Sequence, residues 1–115
     1  FDLTDVTATS TGVTATVTNT GARAGSTVVQ VYVGDVAASV PRPIKELKGF
    51  AKAHLAAGES RRVSIALDDR AFAFFDVTAA QWRIEAGAFE ISTGFSATDL
   101  RAVSTVERAA ALLAV

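Results

Sequence analysis

The chain has 115 residues and a mass of 11.9 kDa, half of it apolar and 23 of its residues alanine, which sets one small domain whose larger apolar side chains must nearly all find a core or a partner. Eleven Lys and Arg against twelve Asp and Glu leave a formal charge of -1, which argues against nucleic acid and membrane as partners, since both need a basic arm or patch of some size. There is no cysteine, so disulfides, thiolate chemistry and Cys-built metal sites are excluded.

Val13, Ala15 and Val17 alternate with Thr14, Thr16 and Thr18, the period of a strand with one buried face. Asn19-Thr20-Gly21 breaks that strand, and Gly25 marks a second bend. From Ser26 to Val33 both faces are apolar, with Val29, Val31 and Val33 on one side and Val28 and Tyr32 on the other, which predicts a central or covered strand. Asp35 to Ile44 is expected to be a long loop, because Pro41 and Pro43 hold extended geometry and donate no backbone hydrogen bonds.

Apolar positions resume at Leu47, Phe50, Ala53 and Leu55 and end at the turn Ala57-Gly58-Glu59. Val63, Ile65 and Leu67 then alternate with polar or small residues, and Asp68-Asp69-Arg70 punctuates again before Phe72, Phe74 and Phe75. Gln81 to Glu85 and Ala88 to Gly94 are expected to form a hairpin about Gly87, and Leu100 to Val106 a final strand. Glu107 to Val115 is rich in helix formers and is expected to be a helical or disordered tail, so the domain is taken as residues 1–106 and the tail as 107–115. Such a succession of short strands and turns argues for an all-β sandwich of about seven strands in two antiparallel sheets, with Val29, Val31, Val63, Ile65, Trp82, Phe89 and Ile91 at its centre.

Chemistry-bearing patterns are sparse. His54 is the single histidine, so metal motifs and a Ser-His-Asp triad lack partners, and it is read as a structural residue. Asp68 and Asp69 are read as turn residues, Asp76 as a cap or arginine partner, and Glu85 and Glu90 as polar-face residues. No glycine pattern cradles a phosphate, and no cofactor is implied. Trp82 and Tyr32 are set too far apart in sequence to suggest a sugar-stacking platform. Arg42, Lys45, Lys48 and Lys52 make a modest basic patch around the proline loop, better suited to a protein surface than to nucleic acid.

Several strings carry a resemblance. Val28-Val29-Gln30-Val31-Tyr32-Val33, the loop Ser39-Val40-Pro41-Arg42-Pro43-Ile44-Lys45-Glu46-Leu47-Lys48-Gly49-Phe50, Ala57-Gly58-Glu59-Ser60, and Phe74-Phe75-Asp76 followed by Trp82 and Glu85-Ala86-Gly87-Ala88-Phe89-Glu90 resemble, in order, the fibronectin type III-like (immunoglobulin-like) domain at the C-terminus of family 3 glycoside hydrolases, which include β-glucosidases and β-xylosidases. The resemblance implies a noncatalytic accessory domain of a β-glycosidase, because the family's catalytic residues lie on a barrel and an α/β sandwich that these residues do not contain. No residue here matches a catalytic motif of that family.

It also implies that Pro41, Arg42, Pro43, Lys45, Glu46 and Lys48 face the catalytic domains of the parent glycosidase, and that a β-linked oligosaccharide is met only through that enzyme. A free-standing carbohydrate-binding or protein-interaction module is the alternative. Hydrolysis by this chain itself would need two carboxylates converging in a groove, about 5 Å apart for retention or about 6.5–9.5 Å for inversion. The chain opens Phe1-Asp2-Leu3 without a leading Met or a signal-like segment, which suggests processing or excision and leaves secreted, periplasmic and cytoplasmic locations all open.

Overall fold

The computed structural model describes residues 1–36 and 45–113. Its strands are β1 (Asp2–Thr9), β2 (Gly12–Thr18), β3 (Gly25–Asp35), β4 (Glu46–Leu55), β5 (Ser60–Ala66), β6 (Phe74–Asp76), β7 (Gln81–Ile84), β8 (Gly87–Ser96), β9 (Asp99–Arg108) and β10 (Ala111–Leu113), with a 3-10 turn at Asp69–Phe72. Antiparallel pairing builds one sheet in the order β1-β2-β5 and a second in the order β4-β3-β8-β9. The remaining three strands form a small sheet in the order β10-β7-β6. The described residues therefore hold about ten strands, and the seven expected from the sequence are those of the sandwich proper.

Period-two alternation is what closes the sandwich. Val13, Ala15 and Val17 of β2 and Val63 and Ile65 of β5 point inward, where they meet Val29, Val31 and Val33 of β3, Ala53 and Leu55 of β4, and Phe89 and Ile91 of β8. Phe72, fully buried, stands edge-on to Phe89 with ring centroids 5.2 Å apart and seals one end with Ile84. Asn19 fastens the opposite end, its buried amide donating to the carbonyls of Arg23 and Leu55 at 2.8 and 3.1 Å while its Oδ1 accepts from the Gly21 amide. β3 is central, flanked by β4 and β8, as its two apolar faces predict.

Three expectations are corrected. Trp82 is half-buried on β7 at the flank, packed against the core without belonging to its centre. Gln81 to Glu85 and Ala88 to Gly94 form no hairpin: β7 pairs with β6 and β10, while β8 pairs with β3 and β9. Gly87, with φ of +138°, redirects the chain from the small sheet into the larger one, a conformation that suits glycine. The segment from Glu107 is not helical, since β9 continues through Arg108 and Ala111–Leu113 forms β10 against β7. Alternating burial of Ala102, Ser104, Val106 and Arg108 and an available edge on β7 outweigh the helix propensity of the tail.

Candidate functional site

The candidate site lies where β4 begins. Of the six residues expected to face a partner, Pro41, Arg42 and Pro43 fall outside the described residues, and Lys45, Glu46 and Lys48 lead into and along β4. Lys45 Nζ stands 6.0 Å from the centroid of the Tyr32 ring, and Lys48 Nζ is 3.4 Å from Glu46 Oε2. Tyr32 is half-buried on the outer face and donates its hydroxyl proton to Gln30 Oε1 at 2.5 Å. The pairing register shifts between Val31 and Tyr32, whose partners are Gly49 and Leu47, so Lys48 is the extra residue of a bulge. Lys48 thereby leaves the regular alternation, and Leu47 and Phe50 both remain exposed on the strand.

Beside this strand runs a groove of about 440 Å³ lined by Leu47, Lys48, Gly49, Phe50, Ser64, Ile65 and Ala66, where the edges of the two sandwich sheets meet. Gly49 permits that approach, since a Cβ there would lie 2.7 Å from Ile65 Cγ2. Lys48 also borders a second cavity of about 270 Å³, lined with Asp68, Arg70, Ala71 and Trp82. Arg70 Cζ lies 4.2 Å from the centroid of the Trp82 ring, and Phe75 meets that ring edge-on at 5.7 Å.

The carboxylates are drawn into structural roles. Asp68 caps the 3-10 turn by accepting from the Ala71 amide at 3.1 Å, and Asp69 pairs with Arg108 at 2.6 Å. Asp76 accepts from the amides of Thr78 and Ala79 and from Arg83 Nε at 2.8 Å; the Arg83 hydrogen bond, reinforced by Ala79, holds its carboxyl below the ordinary aspartate range. Glu90 is exposed on β8, and Glu85 follows β7 at the crossing between sheets. His54 is exposed on β4, its Nδ1 2.7 Å from Ser26 Oγ across the strand pair. Among the described residues no cluster of three or more His, Cys, Asp or Glu is arranged to hold a metal ion.

The arrangement suits recognition of a protein surface. It joins an exposed aromatic and aliphatic edge to stacked and bulged cations, the side-chain types that anchor interfaces. Lys48 and Glu46 pair at the start of β4 and Lys45 precedes them beside Tyr32, whereas Lys52 stands farther along β4 opposite Val28. Arg70 and Trp82 were not anticipated as part of this site. Their meeting depends on the 3-10 turn folding back beside β7, and they stand 12 positions apart in sequence with no motif to pair them.

The sequence matches the family model described as a fibronectin type III-like domain over residues 27–97. An exo-α-(1→6)-L-arabinopyranosidase of Bifidobacterium longum is 48% identical over 105 residues, which is 87% of this chain and 14% of that protein. Thermostable β-glucosidase B of Acetivibrio thermocellus is 47% identical over 88 residues, 76% of this chain and 12% of that protein. Among solved structures, a GH3 β-glucosidase of Bifidobacterium adolescentis shares the fold with a TM-score of 0.88 at 42% identity, covering 94% of this chain and 17% of that one. The chain thus spans less than a fifth of the length of each of these relatives.

Proposed function

The chain belongs to the fibronectin type III-like domain family, in the form carried by family 3 glycoside hydrolases, and from that premise we propose that it serves as a noncatalytic accessory domain that docks onto and stabilises the catalytic domains of a longer β-glycosidase. The observation that carries this reading is the coverage: nearly the whole chain aligns with a small part of each enzyme. Hydrolysis of O-glycosyl bonds, with a β-glucoside as the favoured substrate, belongs in this reading to the rest of that enzyme, and the partner of this chain is intramolecular. Asp68, Asp69 and Asp76 support the noncatalytic role, since each is committed to backbone amides or an arginine of its own domain.

The docking edge in this reading is Pro41, Arg42, Pro43, Lys45, Glu46 and Lys48, with Leu47 and Phe50 as apolar companions. Arg42 is the preferred polar anchor, because a guanidinium engages a carboxylate or several carbonyls in fixed geometry. Replacing Arg42 by Ala in the full enzyme should lower its thermal midpoint or open the domain junction to protease while leaving the isolated domain's stability nearly unchanged. Equal losses in both would make Arg42 an internal structural residue, and no loss in either would remove Arg42 from the interface. Specific binding of oligosaccharide by the isolated chain would favour the free-standing module instead.

A further inference from the structure

Among the described residues that line the second cavity, each charged side chain but one is already engaged. Lys48 is paired with Glu46 at 3.4 Å, and Asp68 is committed to the Ala71 amide. Arg70 is exposed and has no carboxylate within ion-pair distance among the described residues; its contact is the Trp82 ring at 4.2 Å. A guanidinium laid against an indole loses rotamer freedom before any partner arrives, and its N–H groups remain available at the edge of the stack. Because those groups form a planar fork, the matching ligand is a carboxylate, held by two parallel hydrogen bonds.

We propose that Arg70, stacked on Trp82 beside Lys48, receives an Asp or Glu side chain from the catalytic part of the longer enzyme and forms a second anchor of the docked domain. This rests on the accessory-domain reading and adds the chemistry of its partner. Two features favour a protein carboxylate over a sugar as occupant. Arg70 already covers one indole face, which a pyranose would need, and Phe75 approaches the same ring edge-on at 5.7 Å. The cavity also shares Lys48 with the groove along β4, so one continuous surface runs from Phe50 to Trp82. A carboxylate bound there meets Arg70 in a cavity that Lys48 also lines, and the Asp68 carboxylate in the same lining is held by the Ala71 amide.

The test uses the full enzyme, the enzyme lacking this domain, and the isolated domain. Arg70→Gln should lower the thermal midpoint of the full enzyme at low salt, with a smaller loss at high salt, and should shift the isolated domain less. Arg70→Lys keeps the charge and supplies an amine, so carbodiimide coupling followed by peptide mass spectrometry should join position 70 to an Asp or Glu outside residues 1–115. Equal shifts in enzyme and domain, or coupling only to carboxylates of the domain such as Asp68, would overturn the proposal. So would a cellobiose titration that moves the Trp82 indole N–H resonance of the isolated domain and saturates. If removing the whole domain leaves the enzyme's stability unchanged, the accessory reading itself fails; if removal matters and Arg70→Gln does not, docking stands and this anchor is refuted.

Discussion

The guanidinium of Arg108 lies 4.5 Å from the centroid of the Phe72 ring, covering the aromatic that seals one end of the core. From that position Nη1 donates to the Ser10 carbonyl at 3.0 Å and Nη2 to Asp69 at 2.6 Å, tying the end of β9 to the β1–β2 turn and to the 3-10 turn. The exposed Asp69 makes the ion pair a small part of this contact; the ring cover and the hydrogen bond to a distant backbone carbonyl are the larger part. Arg108→Ala should therefore destabilise the isolated domain by about 1–3 kcal/mol. Arg108→Lys should recover less than half of that, because an ammonium cannot stack and fork at once. Urea unfolding of the three proteins checks both statements.

Core and flank should separate cleanly for the aromatics. Phe89 is fully buried between the sheets, whereas Trp82 packs half-buried against Phe75 and Arg70. Phe89→Ala is expected to cost about 3–5 kcal/mol and Trp82→Ala about 1–2 kcal/mol. Chemical denaturation that ranked them in the reverse order would return Trp82 to the centre of the sandwich.

Two glycines sit at close approaches of different kinds. A Cβ at Gly94 would collide with the Asp99 carbonyl oxygen and lie 2.7 Å from Leu100 Cα, both backbone atoms of the paired strand. At Gly49 the obstacle is Ile65 Cγ2, a side-chain methyl on the branched Cβ of a buried residue, which gives way only by a shift about χ1 or of the strand. Gly94→Ala should cost about 2–3 kcal/mol and Gly49→Ala about 1 kcal/mol, read from thermal midpoints of the two variants.

Asp76 carries a pH signature. Its hydrogen bonds from Arg83 and the Ala79 amide favour the charged form, so its folded pKa lies below its unfolded one. The resulting stabilisation is complete above the unfolded value of about 4 and fades as pH falls through the folded value. Asp76→Asn should thus be less stable than the parent sequence at neutral pH, with the difference shrinking in acid below about pH 4. Urea midpoints measured across that range give the curve, and a difference that stayed constant would detach Asp76 from the linkage.

The sandwich was legible because its strands are written in period two. Valines at 13, 17, 29, 31 and 33 and the 63–65 pair fix the buried faces without reference to anything distant. The small sheet was not legible in the same way. Trp82 and Ile84 alternate as convincingly as Phe89 and Ile91, and only the φ of Gly87 and the arrival of β10 decide that the two segments part company. β10 in turn is made of Ala and Leu, residues whose own preference is helical, and it exists through pairing with β7. On the candidate site, the charged run Lys45-Glu46-Leu47-Lys48 could be read directly, while the Lys48 bulge and the Arg70–Trp82 stack arise from tertiary approach.

The proposed accessory role is tested by deleting residues 1–115 from the longer β-glycosidase proposed to carry them and adding the purified domain back in trans. The shortened enzyme is expected to have a lower thermal midpoint, the added domain to bind it one to one and restore most of the loss, and the domain alone to hydrolyse no aryl β-glucoside. A shortened enzyme as stable as the complete one, with no binding of the added domain, would contradict the accessory role.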